Sequence, residues 1–450
     1  MPTRELAFRG RATGTSDSDI SPSPPDSVRE DVDQLMMQLV NTSPQPSSRL
    51  QFKIKYPIPE RDYFPKLIYF YTEACCVPSL YRAQNSLTSH LLTFYMNRAL
   101  ENPCLFVAVL FSALAHRDIA QGTPHSPQTV YYQSLAIKML REQLKDSNQM
   151  SYEMAATALS LTFYNMSGNN PDIALIHRSG LLQILAKNQN KGPEFEALTA
   201  MVNVILMGLS VVVDQEPPFI PPVGTLANGG AFVFGSDCMP SNVLRRAVIR
   251  VAENPNCLLT NDTISDLHNV LDFIIAAENA TTVELYTLYT AVTPPTSRES
   301  SPEIEPTLLT KTAEIINQCC NLATTIFWSV LQNALRPDCA SPPVDPTIPH
   351  TAIKILRAII GKLDIVTWKK HAPEAYAWIC FTAAAACDKP AGRVPFVTVV
   401  TPLLSASDST ELRLTRECWR YYKWLRGFSC LEVEEDVCGG GVVSEISGSA

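Results

Sequence analysis

The chain has 450 residues, of which 46% are hydrophobic and 18% charged, and its net charge is −8. This length and hydrophobic content suffice for one large helical body or for two domains of ordinary size. The negative charge and the absence of a long Lys/Arg run argue against unaided binding to duplex nucleic acid. The short pairs Arg245-Arg246 and Lys369-Lys370 are typical of solvated helix faces.

The first part of the chain reads as a tail. Residues 1–60 are rich in Ser and Pro and lack apolar periodicity, which predicts disorder, interrupted at most by a short amphipathic helix at 28–40. No apolar stretch typical of a secretory signal is found at the N-terminus. The thirteen cysteines have neither regular spacing nor a CxxC pair, so we predict reduced, buried thiols and no zinc site.

Residues 61–289 are predicted to form the first part of a helical domain. Helix start signals occur at Asn102-Pro103, Ser126-Pro127 and Asn170-Pro171, where a capping residue precedes a proline, and Ser151 is a further cap. Helical spacing predicts inward-facing residues in two of these helices, namely Val130, Tyr131, Leu135, Met139 and Leu140 in one and Ile173, Ile176, Leu181, Ile184 and Leu185 in the other. Three consecutive helices are therefore expected between residues 126 and 187.

The uncharged run from Ala197 to Val213 raises the question of a membrane span. It is at the short limit for crossing a bilayer and lacks basic or aromatic flanks, so we predict a buried core helix and no membrane span. Further helices are expected at 242–252 and 265–277, the second one capped by Thr263 and Ser265.

Four prolines make residues 290–307 a predicted linker or loop. Residues 308–428 are predicted to form the second part of the helical domain, with a last helix from about 408 to 426 that ends at Gly427. Residues 429–450 are predicted to be a flexible acidic tail. Strand-like alternation is almost absent, so the predicted fold is all-α: an irregular multi-helix bundle with a disordered N-terminal tail and Pro-rich loops.

Motifs for catalysis are absent from the sequence. There is no phosphate loop, dinucleotide fingerprint, zinc-protease motif or hydrolase elbow. The seven histidines are single, and His177 is interpreted as a hydrogen-bonded histidine of the core or of an interface. We predict that the chain is not an enzyme, with no catalytic, cofactor-binding or metal-binding residues and no cofactor. An enzyme of unrecognised type would need titratable side chains that converge in a polar pocket.

Three of these segments resemble a known family. The pair Tyr131-Tyr132 with the apolar residues after it, the Ala/Leu-rich helix that follows, and His177 with Gly180 are similar to the fungal-specific transcription factor domain, the helical regulatory region of zinc-cluster transcription factors. The segments His371–Trp378 and Trp419–Trp424 resemble its closing part. In physical terms, Gly180 and Ser179 are expected to permit a close helix crossing.

The resemblance extends over roughly residues 62–427, but one element of that family is not matched. Its six-cysteine zinc cluster precedes the helical region, whereas the first cysteine here is Cys75, within the predicted helical domain. The resemblance therefore implies a regulator without its own zinc-cluster DNA reader. Two explanations remain open for the unmatched zinc cluster: a true variant of the family, or a gene model that lacks its first exon.

The leading hypothesis is a nuclear transcription regulator of the fungal zinc-cluster type that acts through its helical domain. Its expected partners are proteins of the transcription machinery or a DNA-binding partner, or a small apolar ligand bound between helices, without direct nucleic acid contact. The alternative is a cytosolic helical scaffold or apolar-ligand-binding module.

Overall fold

The computed structural model describes residues 55–71, 94–123, 125–146, 150–187, 192–218, 238–253, 258–278, 280, 282–291, 308–335, 347–405 and 412–429. Within this part of the chain every regular element is helical, which confirms the all-α prediction. The predicted N-terminal tail up to residue 54, the helix at 28–40, the linker beyond residue 291 and the acidic tail beyond residue 429 lie outside the described residues.

Sixteen helices make up the described part of the chain. They are α1 (Phe64–Tyr71), α2 (Met96–Glu101), α3 (Pro103–Gln121), α4 (Pro127–Asp146), α5 (Tyr152–Ser167), α6 (Pro171–Lys187), α7 (Pro193–Val213), α8 (Asn242–Glu253), α9 (Asn261–Ala277), α10 (Thr282–Ala291), α11 (Leu308–Ala334), α12 (Thr347–Ile360), α13 (Ile365–His371), α14 (Pro373–Ala385), α15 (Pro390–Ser405) and α16 (Arg413–Ser429).

The helix starts follow the capping chemistry of the sequence. The Asn102 side chain accepts a hydrogen bond from the Leu105 amide at 3.0 Å, and Ser151 accepts one from the Met154 amide at 3.3 Å. These bonds satisfy amides that have no partner inside the helix. Gly122 ends α3 with a φ of +67°, a conformation that glycine adopts without a steric cost.

The all-helical core is centred on α14. Every residue of this helix is buried, and it packs against α8, α11, α13, α15 and α16. Apart from Glu374 in its first turn, its sequence is apolar or small on all faces, as expected for a helix with no side toward water. The core extends from Met166 to Leu425, and the side chains of Trp368, Trp378 and Trp419 are fully buried in it.

The N-terminal helices join this core through α5. Helix α5 packs on α3, α4 and α6 on one side and on α7 and α15 on the other. Its alanines at 155, 156 and 158 are buried, so neighbouring helices approach it from several directions. Arg98 of α2 ties the start of α5 to the start of α7, because its guanidinium lies 2.8 Å from Glu153 and 2.7 Å from Glu194.

Several boundaries differ from the prediction. Helix α9 starts at Asn261 with Thr260 as its cap, rather than at Ser265. Helix α16 continues through Gly427 to Ser429, because Phe428 packs edge-to-face on Trp424 with ring centroids 5.1 Å apart. The predicted start of this helix near residue 408 lies outside the described residues.

The sequence did not predict α1, α10, α13 or α15. Helix α15 contains Pro395 and Pro402, which normally signal a helix break. Beside the prolines, side-chain hydroxyls add hydrogen bonds within the helix: Thr401 donates to the Val397 carbonyl at 2.7 Å, and Ser405 donates to the Thr401 carbonyl at 2.8 Å. Burial against α7 and α14 maintains the helix despite its prolines.

Candidate functional site

The predicted three-helix segment forms α4, α5 and α6, and its tyrosine pair has a packing role. Tyr132 is buried, and its hydroxyl is hydrogen-bonded to that of Tyr63 at 2.6 Å. The rings of Tyr131 and Tyr132 lie edge-to-face, 5.1 Å apart. Tyr132 therefore joins α4 to the residue that precedes α1, an arrangement that stabilises the fold rather than one that binds a ligand.

The inward face predicted for α4 is partly wrong. Val130 is 43% exposed, while Gln128 and Thr129 are buried. The cause is Asp118 of α3, itself buried, whose carboxylate accepts from the Thr129 hydroxyl at 2.6 Å and from the Ser126 amide at 2.9 Å. This buried polar contact fixes the rotation of α4 about its axis and turns Val130 outward.

The close helix crossing predicted at Gly180 is not found. A Cβ placed on Gly180 would meet no atom within 4 Å, and the Nε2 atom of His177 has no hydrogen-bond partner. Burial lowers the pKa of His177. Ile173 and Ile176, predicted to face inward, are 42% and 70% exposed, so α6 rests on its neighbours through Ala174, Leu181 and Ile184.

The tightest glycine contact of the described helices lies instead at Gly208 of α7. A Cβ there would lie 2.9 Å from Val397 Cγ1 of α15 and 3.7 Å from Met166 Cε. Because both neighbours are buried, the site leaves no room for a side chain. The sequence does distinguish the two positions, since Gly208 lies in the uncharged run Ala197–Val213, whereas Gly180 directly follows the polar residues His177, Arg178 and Ser179.

A small cavity lies between α3, α4 and α5, beside the turn that precedes α4. Its lining includes Asp118, His125, Gln133 and Asn165. Its free volume of about 10 Å³ has room for about one water molecule. Gln133 donates to Asn165 at 3.0 Å, and Asn170 lies 2.7 Å from His125 Nε2. The cavity is too small for the apolar ligand considered above.

A charged junction joins α7, α14, α15 and α16. Asp214, in a left-handed conformation with φ +58°, ends α7. Its carboxylate lies 2.9 Å from Arg426 Nε and 2.9 Å from the Tyr422 hydroxyl. Burial would raise the pKa of Asp214, but the hydrogen bonds from Arg426 and Tyr422 and the charges of Arg393 and Arg426 lower it.

Arg393 is the buried member of this junction, only 2% exposed. Its guanidinium donates to the carbonyls of Cys387 and Asp388 at 2.8 Å each and to that of Val212 at 3.2 Å, and it lies 3.6 Å from Asp214. Cys387 and Asp388 lie in the turn between α14 and α15, and Val212 lies in the last turn of α7, where carbonyls have no partner within the helix. The junction is therefore a structural cap shared between helices.

A second charged group lies where α8 packs on α14 and α16. Glu417 is fully buried, and its Oε1 atom accepts from Arg246 at 2.7 Å and from Arg413 at 3.1 Å. Glu374 accepts from Arg250 at 2.7 Å. Arg245 is exposed as predicted, but Arg246 is half-buried and bridges two helices. The sequence gives no indication of this pairing, because the partners are separated by 171 and 124 residues.

The cysteines of the described residues include several that are deeply buried. Burial raises the pKa of the Cys104 thiol to about 11 and that of Cys319 to about 12, and it also raises the pKa values of Cys380 and Cys418 well above the ordinary thiol value. Thiols in such surroundings stay protonated and unreactive. Among the described residues, no group of three or more His, Cys, Asp or Glu side chains has the geometry of a metal site.

Helix α7 corresponds to the apolar run predicted to be a core helix. The stretch Glu194–Val213 is long and apolar enough to cross a bilayer, but 89% of its apolar window is buried inside the protein. It packs against α5, α6, α15 and α16. This burial agrees with the prediction that the uncharged run forms a buried core helix.

Comparison with known proteins gives one match. Residues 67–206, from α1 into α7, match a family model described as the fungal specific transcription factor domain. No curated protein and no solved structure matches the chain. The resemblance based on Tyr131-Tyr132, His177 and Gly180 is confirmed for this stretch. Residues 67–206 are thus similar to the fungal specific transcription factor domain, and this match supports a general role in the regulation of transcription.

Proposed function

We propose that this chain is a non-catalytic regulator of the fungal zinc-cluster type that acts in the nucleus through its helical body. The family match over residues 67–206 is the observation that carries the proposal. In this reading the bases are recognised by a separate element, either a DNA-binding partner or a segment outside these 450 residues. The helical body transmits regulation through contacts with other proteins.

Exposed apolar side chains on α6 support a role in protein contacts, and the buried charged residues serve to hold the helices together. Ile173 and Ile176, which are 42% and 70% exposed, lie three residues apart on α6 within the matched stretch, and two neighbouring exposed apolar side chains suit a protein contact. The buried charged residues Asp118, Arg393 and Glu417 each hold neighbouring elements together, as described above. The alternative of an apolar-ligand-binding module gains no support from the described cavity, which has room for about one water molecule.

A tethering experiment tests the regulatory role. The full chain is fused to a heterologous DNA-binding domain, and the output of a reporter is compared with that of the DNA-binding domain alone. We expect the output to change. Trp378→Ala, which removes a fully buried side chain at a cost of about 3–5 kcal/mol, is expected to abolish the change, whereas the exposed Lys138→Ala retains it.

An unchanged reporter with well-expressed protein would contradict the proposal. Localisation separates the proposal from the cytosolic scaffold. A fluorescent fusion of the full chain is expected in the nucleus, and its persistent exclusion from the nucleus would favour the scaffold.

A further inference from the structure

A basic surface is formed where α8 and α16 pack side by side, although no stretch of the sequence is strongly basic. Helix α8 carries three arginines and one glutamate, and α16 carries four arginines, one lysine and one glutamate, so the pair has an excess of six positive charges. The whole chain has a net charge of −8. Positive charge is therefore concentrated on one pair of helices.

The exposed side of α16 is a basic stripe. Arg413, Arg416, Arg420 and Lys423 recur at intervals of three and four residues, which places them on one face over a length of about 15 Å. The Arg413 side chain is 54% exposed and that of Lys423 is 45% exposed. Lys423 also lies over the ring of Trp419, with its Nζ atom 5.7 Å from the ring centroid, and this cation–π contact holds the Lys423 side chain in place.

In the part of the chain that the structure describes, Glu417 and Glu374 pair with arginines of α8 and α16 from beneath the surface. Glu417 is fully buried beneath it and is shared by Arg246 and Arg413, and the Glu374 side chain beside Arg250 is only 12% exposed. Glu216, which is exposed, lies 2.9 Å from Lys423. The buried carboxylates hold the arginines in place from below while the guanidinium groups reach the surface, an arrangement that favours paired contacts with external carboxylates.

An exposed apolar side chain lies within the same surface. Ile249 is 48% exposed on α8, and at about 100° per residue it falls between Arg245 and Arg246 around the helix. A phosphate backbone offers nothing to an isoleucine, whereas an acidic polypeptide with interspersed apolar residues complements both features.

We propose that the basic surface of α8 and α16, with Ile249 within it, binds an acidic polypeptide segment that also carries apolar side chains. This inference rests on the proposed function in that it specifies the class of protein partner through which the regulator acts. The ion pairs supply orientation and association rate, and Ile249 supplies buried apolar area.

The test measures binding of the full chain to a labelled synthetic peptide in which Asp and Glu alternate with Leu and Phe. The control peptide has Asn and Gln at the acidic positions, and a short DNA duplex is the third probe. We expect the acidic peptide to bind most tightly and its affinity to fall as salt is added, since exposed charges are screened over about 10 Å at 0.1 M.

Two variants and a matched control locate the binding surface. The double reversal Arg245→Glu with Arg420→Glu is expected to weaken peptide binding by about tenfold or more, and Ile249→Ser by about fivefold. The double reversal Lys138→Glu with Arg141→Glu, on the exposed face of α4, changes the net charge equally and is expected to leave binding within about twofold. Circular dichroism checks that each variant is folded.

Either of two results would overturn the inference. The first is that the acidic peptide does not bind, or binds the Arg245 and Arg420 variant as tightly as the parent. The second is that the duplex binds more tightly than the peptide, loses affinity in that variant and is indifferent to Ile249→Ser, which assigns the surface to nucleic acid. If the peptide fails while the tethered chain still changes reporter output, only this inference fails and the proposed function stands.

Discussion

Gly208 and Gly180 form a matched pair that tests the helix packing. Both lie inside helices, so an alanine at either position should gain about 0.5–1 kcal/mol from helix propensity. At Gly180 nothing lies within 4 Å of the new Cβ, so Gly180→Ala is expected to stabilise the protein by that amount. At Gly208 the Cβ would lie 2.9 Å from Val397 Cγ1, and inserting a methyl group into a packed core costs about 1–3 kcal/mol. Gly208→Ala is therefore expected to destabilise by up to about 2 kcal/mol.

Urea unfolding followed by circular dichroism measures the difference. The transition midpoint should rise for Gly180→Ala and fall for Gly208→Ala, with the slope unchanged. Val397→Ala removes the atom that clashes, so Gly208→Ala introduced into that variant should raise the midpoint as Gly180→Ala does. If Gly208→Ala alone raises the midpoint as much as Gly180→Ala, the tight contact between α7 and α15 is refuted.

Three further predictions concern buried polar and thiol groups. Arg393→Met is expected to lower the free energy of unfolding by about 3 kcal/mol or more, because it leaves buried carbonyls without their donor and removes a positive charge beside Asp214. Arg393→Lys should recover only part of that loss, and urea titration measures both. The lowered pKa of Asp214 stabilises the fold above the ordinary Asp pKa of about 3.9, and this contribution is lost as the pH falls through the lowered folded value. The midpoint of the parent should therefore decline more steeply with acid than that of Asp214→Asn, and equal slopes would argue against the junction. Site-resolved alkylation of the native protein should modify the half-exposed Cys238 before the buried Cys319, Cys380 and Cys418; the reverse order would contradict their burial.

The helices that the sequence predicted well are those with local start signals. Asn102, Ser151 and the prolines at 103, 127 and 171 act within one turn, so their effect on the backbone can be read without knowledge of the fold. Helix α15 was missed because the local signal from Pro395 and Pro402 opposes a helix, and only tertiary burial overrides it. The rotation of α4 was wrong for a related reason, since Asp118 lies on a different helix from the residues it pulls inward.

The candidate surface was beyond sequence reasoning because its parts are distant in the chain. Arg246 and Glu417 are 171 residues apart, and in the sequence each reads as an ordinary surface charge. Likewise, the spacing of His177 and Gly180 reproduces a family pattern but does not show which neighbours they touch. Residue type and spacing therefore identified the fold class and the resemblance to the family over residues 67–206, whereas long-range contacts determined the charged surface.

The position of α14 in the chain has a consequence for how the protein is made. This wholly buried helix and its neighbour α15 are synthesised only after residue 372, although α5 and α7, which pack on α15, are complete by residue 213. At about 5–20 residues per second, the ribosome needs roughly 10–40 s to move from the end of α7 to the end of α15. During that interval the apolar faces of α5 and α7 await their partner, so we expect the nascent chain to depend on chaperones until translation nears its end.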